Sequence, residues 1–391
     1  MSNLIFSQNL TRVEINKKTL THNIKTLRMS VGKKCLLAPA VKANAYGHGL
    51  VIASQIMLRA GADWLCINSI GEARALRAAG IRSPIYIMGY VQDADLPEAA
   101  GLGCRMVVYN EETLKNLARA AWRAGVRAKI HIKVETGNNR QGIAMEELVA
   151  FAHRAASLQT IEIEGLCTHF ANIEDVKISR GDRLPHYALT QLKNFQKANE
   201  MLEAAGIYIP ILHTANSAAT LLFPATHFNM VRPGIVAYGM WPSQETRRAA
   251  EALHKGISLE PALRWLTKIA QVKHIQKNAR IGYGCTYRAP RPMKLAILPV
   301  GYYDGYDRKL SNKAHVLIHG KRAPVRGRVC MNIIMVDVTD IPNVAREDTV
   351  TLLGRDGAEE ITAEYIASLS HTINYEVTTK INETIPRILV P

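Results

Sequence analysis

Residues 40–49 place a lysine, Lys42, between a short apolar run and a polar loop that contains two glycines. At the end of a buried strand a lysine amine loses hydration, and desolvation lowers the pKa of the amine. An uncharged amine can attack a carbonyl carbon and form a Schiff base. For an arbitrary lysine at a strand end, a side chain that extends to solvent is the simpler interpretation. Other motifs therefore have to decide between the two.

A second group of candidate residues follows two later apolar runs. Ser217 stands where a helix is predicted to begin, and helix starts offer unpaired backbone amides to an anion. Arg232 and Gly234 follow the next run, and the glycine allows the backbone to approach a bound anion. Taken alone, Ser217 is better explained as a helix N-cap than as a phosphate ligand. Together with Lys42, these residues describe a pyridoxal-phosphate site, in which a Schiff-base lysine faces a phosphate-binding corner.

Short apolar runs that alternate with amphipathic stretches must position these residues, and this alternation is typical of repeated βα units. Eight such units predict a (β/α)8 barrel at residues 14–240, with its active site at the carboxyl ends of the strands. Several runs are only three or four residues long, so a doubly wound open sheet is the alternative. The eight runs are 36–41, 64–67, 85–88, 106–108, 130–134, 161–167, 209–212 and 228–231.

After residue 240 the alternation of apolar runs with amphipathic stretches ends. Strand-like runs with turn residues between them predict a mostly β domain, formed by residues 241–391 together with residues 1–13. Residues 318–321 read as a hairpin turn, because glycine supplies the backbone angles that such turns need. The strand-like runs are 263–275, 295–300, 315–319, 323–329, 333–338 and 349–353.

Composition excludes several classes of protein. Of the 391 residues, 48% are hydrophobic and 21% are charged, which is ordinary for a folded globular chain. The formal net charge of +16 attracts anions, but the basic residues are scattered and form no nucleic-acid-binding motif. The six cysteines form no CxxC pair, so no metal site is expected. Without a signal peptide or a membrane span in the sequence, we expect a cytoplasmic protein with neither nucleic-acid nor membrane partners.

Ordered motifs along nearly the whole chain resemble those of the alanine racemases, which are barrel-type (fold type III) pyridoxal-phosphate enzymes. The segment 42–49 and the segment that follows Val231 are the most specific. The resemblance implies an enzyme that interconverts L- and D-alanine and supplies D-alanine for peptidoglycan. The motifs that carry the resemblance are residues 42–49, 232–235, 282–284, 299–302, 327–331 and 373–377.

The resemblance implies a two-base mechanism. Lys42 holds the cofactor and serves one face of the substrate's α-carbon, and Tyr283 serves the other face. A phenol with a pKa of about 10 is a poor base at neutral pH, so Tyr283 needs support, which His169 and Arg232 are expected to give. Arg232 is also expected to donate a hydrogen bond to the pyridine nitrogen and to leave it uncharged, which favours reprotonation over transamination.

Further roles are implied residue by residue. Arg140 is expected to orient the substrate carboxylate and the phenolic oxygen of the cofactor, a bidentate task that suits a guanidinium. Lys133 matches a lysine that is carbamylated in some members of the family, and an ordinary ion-paired lysine is the alternative. The remaining residues expected to bind the cofactor are Tyr46, Asn216, Ser217, Gly234, Ile235 and Tyr375, and those expected to bind substrate are Met331 and Tyr302, besides Arg140 and Tyr283.

The resemblance also implies a homodimer with shared active sites, in which Tyr283, Tyr302, Met331 and Tyr375 come from the other subunit. Two positions depart from the usual family pattern. Asn138 stands where methionine is usual, and Asn332 stands where aspartate is usual. Residues 173–185 and 378–382 are less typical as well. These departures put substrate breadth in doubt, so that serine or a larger amino acid remains an alternative substrate.

Two rival functions stay open. Barrel-type pyridoxal-phosphate amino-acid decarboxylases share this architecture and use a cysteine near the position of Cys330, although Met331 and Asn332 fit a racemase better. A non-catalytic pyridoxal-phosphate carrier is usually a barrel alone, and the second domain argues against it.

Overall fold

The structure is a computed structural model, which describes residues 10–176, 184–253 and 257–391. Residues 1–9 of the predicted second domain and residues 177–183 of the atypical loop lie outside the described part. The described residues form two compact units. The first consists of residues 19–45 and 50–260, and the second consists of residues 10–18, 46–49 and 261–391.

The first unit alternates strands with helices, and its strands are parallel. The strands are β2 (Leu36–Leu37), β3 (Leu65–Ile67), β4 (Ile85–Ile87), β5 (Arg105–Val108), β6 (Ala128–Lys133), β7 (Ile161–Cys167), β8 (Ile211–His213) and β9 (Met230–Val231). The helices are α1 (Lys17–Val31), α2 (Leu50–Arg59), α3 (Ile70–Ala78), α4 (Leu96–Gly101), α5 (Glu111–Ala124), α6 (Leu148–Ser157), α7 (His186–Ala204), α8 (Ser217–Leu222) and α9 (Gln244–Leu253). The predicted eight βα units are confirmed.

Backbone contacts join the ends of this strand series. Strands β3 to β8 pair in chain order, and β2 pairs with β9. Ala40 bridges to Cys66 on the β3 side, and the amide of Asn229 donates to the carbonyl of Leu212 at 3.1 Å on the β8 side. The strands therefore form a closed ring rather than an open sheet, and the doubly wound alternative is wrong.

Local sequence signals define the ends of two barrel helices, α3 and α5. Ser69 and Glu72 form a reciprocal capping box at the start of α3. The side chain of Asn110 caps α5, and Gly125 ends α5 in a left-handed conformation. Such caps satisfy backbone groups that a helix end would otherwise leave unpaired.

The second unit is mostly β, as predicted. Its strands are β1 (Arg12–Asn16), β10 (Leu263–Lys268), β11 (Gln271–Ile275), β12 (Arg280–Ile281), β13 (Tyr287–Arg288), β14 (Met293–Leu298), β15 (His315–Ile318), β16 (Lys321–Pro324), β17 (Ile334–Asp337), β18 (Thr349–Asp356), β19 (Glu359–Ile361) and β20 (Arg387–Val390). The largest sheet follows the order β16, β15, β18, β10, β1, β20, with β19 paired to β18, and β11, β14 and β17 form a smaller sheet. Strands β12 and β13 pair with each other. Two helices, α10 (Ala363–Ser370) and α11 (Asn374–Thr379), complete the unit.

The predicted hairpin joins β15 to β16. Ile318 pairs with Lys321, which leaves His319 and Gly320 as a two-residue turn. Both turn residues have positive φ, 52° and 70°, which is the backbone twist that a two-residue hairpin requires. The hairpin prediction is confirmed.

No helix in the described ranges is both long enough and apolar enough to span a membrane.

Candidate active site

Lys42 follows the first barrel strand, where the backbone changes hand. The amide of Val41 still donates to the carbonyl of Cys66 at 2.8 Å, and the next residues turn left-handed. Left-handed backbone costs a residue with a side chain about 1–2 kcal/mol. Side chains hold this turn, because Glu72 accepts from the amide of Ala43 at 2.7 Å and Asn44 accepts from the amide of Leu50 at 2.8 Å. The four residues with φ of 53–54° are Ala43, Asn44, Ala45 and Tyr46.

The Lys42 amine lies in a cationic environment. Burial lowers the pKa of Lys42 below its ordinary value, and the guanidinium of Arg140 lowers it further. The carboxylate of Glu72 acts in the opposite direction but does not reverse the shift. Lys42 is therefore more easily deprotonated than a solvated lysine, as the sequence predicted.

His169 is at the centre of the same group of charges. Burial lowers the pKa of His169 well below its ordinary value, and four cations add to the shift. An imidazole in this environment is uncharged at neutral pH and can accept a hydrogen bond. The cations that act on His169 are Arg232, Arg140, Lys133 and Lys42.

Arg232 is buried behind this group. Its Nη2 donates to the carbonyl of Thr168 at 2.8 Å and to the carbonyl of Thr214 at 3.3 Å, and its Nη1 donates to His213. These bonds use three of the five guanidinium donors within the described part of the chain. The guanidinium is thus fixed at the carboxyl ends of the barrel strands and keeps donors for a ligand.

The loop after β6 presents Arg140 to solvent. The carboxylate of Glu135 accepts from the amides of Gly137 and Asn138, each at 2.6 Å, and this closes the loop tightly. The side chain of Asn138 donates to the carbonyl of His169 at 3.0 Å. The amide that replaces the usual methionine is therefore bonded to the backbone of a candidate catalytic residue.

Lys133, which ends β6, has a neutral partner. Its Nζ donates to Oε1 of Gln141 at 3.2 Å, and the amide nitrogen of Gln141 donates to the hydroxyl of Tyr109, also at 3.2 Å. Burial lowers the pKa of Lys133, and Arg140 and Arg232 act in the same direction. Gln141 was not singled out from the sequence, because its contact with Lys133 depends on how the loop returns after β6.

The candidate phosphate corner brings the residues after β8 and β9 together. The N-cap of α8 is Asn216, whose side chain accepts from the amide of Ala219 at 3.1 Å. Ser217 is thereby free of the capping role, and its Oγ accepts from the amide of Gly234 at 2.8 Å. Ile235 follows Gly234 and is fully buried. The Ser217 hydroxyl and the Gly234 amide thus lie side by side where the segments after β8 and β9 meet.

Tyr46 and Tyr375 lie together in the second unit. Their ring centroids are 6.1 Å apart and their planes are inclined by 49°. This arrangement differs from the expectation that Tyr375 is contributed by the other subunit. Since both hydroxyl-bearing rings belong to one chain, that chain can present them to one phosphate group without a partner.

Tyr283, Tyr302 and Met331 form an exposed group in the second unit, with 71%, 42% and 55% of their surface accessible. The amide of Tyr302 donates to the carbonyl of Cys330 at 3.0 Å, which ties the segment that bears Tyr302 to the segment that bears Met331. The side chain of Asn332 donates to Asp304 at 3.2 Å. Large aromatic and apolar side chains of this group therefore remain accessible to solvent in the single chain.

Three further polar residues fill the interior of the barrel and were not predicted from the sequence. They are His131 on β6, Glu164 on β7 and His213 on β8, and all are buried. The inward-facing alternation of the strands was the available signal, but the contact between them depends on strand register.

A (β/α)8 barrel with a lysine of lowered pKa among arginines, at the carboxyl ends of its strands, has the architecture of the barrel enzymes, whose active sites lie at these strand ends. Residues 15–242 match the family model described as alanine racemase, N-terminal domain, and residues 262–389 match the one described as alanine racemase, C-terminal domain. The chain belongs to the alanine racemase family and is an isomerase.

Relatives and solved structures agree with this family. An alanine racemase from Methanococcus maripaludis is 41% identical over 377 residues, which cover 96% of this chain and 97% of that one. The structure of alanine racemase from Bacillus anthracis with bound L-Ala-P has a TM-score of 0.90 and 35% identity, with 98% and 95% of the two chains covered. A histidine racemase from Leuconostoc mesenteroides has a TM-score of 0.87 and 26% identity, with 98% and 99% covered.

Proposed function

We propose that this protein is a pyridoxal-phosphate-dependent alanine racemase that uses Lys42 and Tyr283 as opposed acid/base groups. The observation that carries the proposal is the position of Lys42, whose pKa is lowered by burial and by Arg140 at the carboxyl end of the first barrel strand. The family assignment favours racemisation over the decarboxylase and carrier alternatives.

The donor set fits pyridoxal phosphate. Lys42 would hold the cofactor through its amine. Ser217, Gly234, Ile235, Tyr46 and Tyr375 would hold its phosphate, with Asn216 shaping that corner as the cap of α8. When bound, the cofactor supplies an electron sink that acidifies the α-carbon of an attached amino acid.

Residues of the chain would then control where the α-proton goes. The neutral amine of Lys42 accepts the proton on one face, and Tyr283 donates or accepts it on the other. His169, kept uncharged by the surrounding cations, can accept a hydrogen bond from the Tyr283 phenol and so favour its deprotonation. The guanidinium of Arg232 can only donate hydrogen bonds, so it would donate to the ring nitrogen of the cofactor and leave that nitrogen uncharged.

Substrate orientation falls to Arg140 and to the exposed group of Tyr283, Tyr302 and Met331. The guanidinium of Arg140 is suited to bidentate contact with the substrate carboxylate, to which Met331 adds its backbone amide. We include a homodimer in the proposal, in which the exposed group completes the partner's site. The exposure of Tyr283 supports this arrangement.

A broader substrate range is the second candidate function. Asn138 bonds to the carbonyl of His169, and Asn332 bonds to Asp304, so both departures from the family pattern occupy polar networks near candidate residues. The structurally similar protein from Leuconostoc mesenteroides is named as a histidine racemase, and histidine is larger than alanine. Chiral analysis of a panel of L-amino acids distinguishes the two: inversion of alanine alone supports alanine, and comparable inversion of serine supports the broader range.

A cytoplasmic location and a supply of D-alanine to peptidoglycan complete the proposal, and both follow from the usual role of the family. Growth of a D-alanine auxotroph of a walled bacterium on this gene tests the supply role. Growth without added D-alanine supports it, and growth that still requires D-alanine contradicts it.

The shared site is tested by mixing two inactive variants. If each active site combines Lys42 of one chain with Tyr283 of the other, a mixed dimer of Lys42→Ala and Tyr283→Phe chains contains one site with both residues intact. Racemisation of alanine should then recover to about half the wild-type activity per mixed dimer. No recovery, despite subunit exchange shown by differently tagged chains, would contradict the shared site.

A further inference from the structure

We propose that Glu164 is a positioning residue for Arg232, and that it acts through a hydrogen-bonded relay formed by the imidazoles of His131 and His213 inside the barrel. The role of Arg232 toward the cofactor rests on the proposed function above, whereas the relay itself is a property of this chain.

The relay is continuous across three neighbouring strands. Nη1 of Arg232 contacts Nδ1 of His213, and Nε2 of His213 lies 2.7 Å from Nδ1 of His131. Nε2 of His131 lies 3.3 Å from Oε2 of Glu164. Both imidazoles are fully buried, and Glu164 is buried at its end of the relay. Two imidazoles thus connect the guanidinium at the candidate site to the buried carboxylate of Glu164.

The donor in every link follows from chemistry. Arginine can only donate, so Nδ1 of His213 must accept and the proton of a neutral ring must be on Nε2. That Nε2–H donates to His131, whose Nδ1 therefore accepts and whose proton is likewise on Nε2. The last Nε2–H donates to the carboxylate of Glu164. All bonds run in one direction, and each ring is fixed in a single tautomer.

Local charges agree with two neutral rings and an ionised carboxylate. Burial lowers the pKa of His213 well below its ordinary value, with Arg232 adding to the shift, and burial also lowers the pKa of His131. For Glu164, burial raises the pKa, but hydrogen bonds from His131, Arg105 and Lys129 outweigh it and bring the pKa to about 2. The relay therefore ends on a permanent negative charge.

Packing fixes the ring of His131 in this position. Tyr86 stacks on it with ring centroids 4.6 Å apart, and Gly165 is its neighbour across the β6–β7 pair. A Cβ atom at position 165 would come within 2.7 Å of Cε1 of His131, so only glycine leaves room for the ring. The charge of Glu164 polarises both imidazoles and makes Nδ1 of His213 a stronger acceptor for Arg232.

Kinetics of Glu164→Gln test the positioning role, with Glu162→Gln as the matched control. Glu162 is on the same strand and also contacts Lys129, at 3.2 Å, but it is not part of the relay. Glu164→Gln should lower kcat about five- to tenfold with little change in KM, because a neutral acceptor replaces a charged one. Glu162→Gln should leave both constants unchanged.

A double-mutant cycle separates positioning from general damage. In an Arg232→Lys background the effect of Glu164→Gln should disappear, because the relay no longer ends on a guanidinium. An effect of the same size in both backgrounds would contradict the role. If the wild-type protein is inactive, the proposed racemase activity is contradicted but the relay is not. The NMR measurement below tests the relay independently of activity.

Nitrogen-15 NMR of histidine-labelled wild-type protein reads the relay without reference to activity. His131 and His213, assigned through His131→Asn and His213→Asn, should each show one protonated Nε2 and one unprotonated Nδ1 at neutral pH. A proton on Nδ1, or two protons on either ring, would overturn the relay whatever the kinetics show.

Discussion

Nζ of Lys133 donates to the amide oxygen of Gln141 at 3.2 Å, and burial together with the positive charge of Arg140 lowers the pKa of this lysine. The partner of the lysine, Gln141, has a side-chain amide that can rotate by about 180°. The amide offers its oxygen to an ammonium group, and after rotation it can offer its NH2 to an anion.

Carbamylation of Lys133 is the first prediction. Burial lowers the pKa of Lys133, and the resulting free amine can add carbon dioxide to give a carbamate, which Arg140 would then pair. Protein incubated with ¹³C-bicarbonate should show a carbamate resonance that Lys133→Met abolishes. Lys129, on the same strand, has a raised pKa owing mainly to its bond with Glu164, so Lys129→Met should keep the resonance. A spectrum without the resonance, or one unchanged in Lys133→Met, would disprove the modification.

The titration of Lys42 provides the second prediction. Its pKa is lowered by burial and then by Arg140, so the amine of the cofactor-free protein should react with acetic anhydride at lower pH than Lys129 does. Removing the positive charge in Arg140→Gln favours the ammonium form, so the midpoint should move to higher pH. Peptide mass spectrometry of the acetylated protein measures both curves. Equal midpoints for Lys42 and Lys129, or a lower midpoint in Arg140→Gln, would contradict the assigned environment.

The third prediction concerns residues of the second unit. It distinguishes residues that serve the active site of their own chain from residues that serve the partner's active site. Because Tyr46 and Tyr375 lie together in one chain, mixing Tyr46→Phe with Tyr375→Phe chains leaves one phosphate lesion in every site. Cofactor affinity, measured by absorbance titration, should therefore stay reduced in the mixed dimer. Recovery of half the sites to wild-type affinity would mean that Tyr375 serves the partner.

Gly301 gives the fourth prediction. A Cβ atom there would clash with the carbonyl oxygens of Cys330 and Met331, which are backbone atoms and cannot move aside easily. Gly301→Ala should displace the segment that bears Met331 and cost about 1–3 kcal/mol of stability, with a loss of activity. Gly101→Ala is the control, since it adds a methyl group to open space in α4 and should leave the melting temperature and the activity nearly unchanged. Equal behaviour of the two variants would refute this account of Gly301.

The barrel could be predicted because its strands carry local signals. Short apolar runs such as residues 161–167 coincide with β7, and the turn at Gly320 requires a residue that accepts positive φ. Helix α10 also had a signal that was not used: Thr362 caps it, and its buried positions recur at Ala363, Ile366, Ala367 and Ser370. The strands, the turn and the helix all depend on residues that are close together in sequence.

Features that depend on pairing between distant segments could not be predicted. The contact of His131 with His213 requires the register of β6, β7 and β8, and a shift of one residue would point either ring out of the barrel. The pairing of β1 with β10 and β20 also joins segments that are far apart in sequence, although the sequence did predict that residues 1–13 belong with the second domain. Likewise, the position of Tyr375 beside Tyr46 follows from how distant parts of the chain pack together, which local patterns do not encode.

Exchange of the α-proton in D2O tests the two-base assignment most directly. With Lys42 intact, Tyr283→Phe should still exchange the α-proton of D-alanine, while its conversion of D-alanine to L-alanine falls at least about 100-fold. Tyr208→Phe, which alters a similarly exposed tyrosine in the other unit, should exchange and convert at the wild-type rate. If Tyr283→Phe converts D-alanine to L-alanine as fast as the wild type, Tyr283 is not the second base and the central claim is wrong.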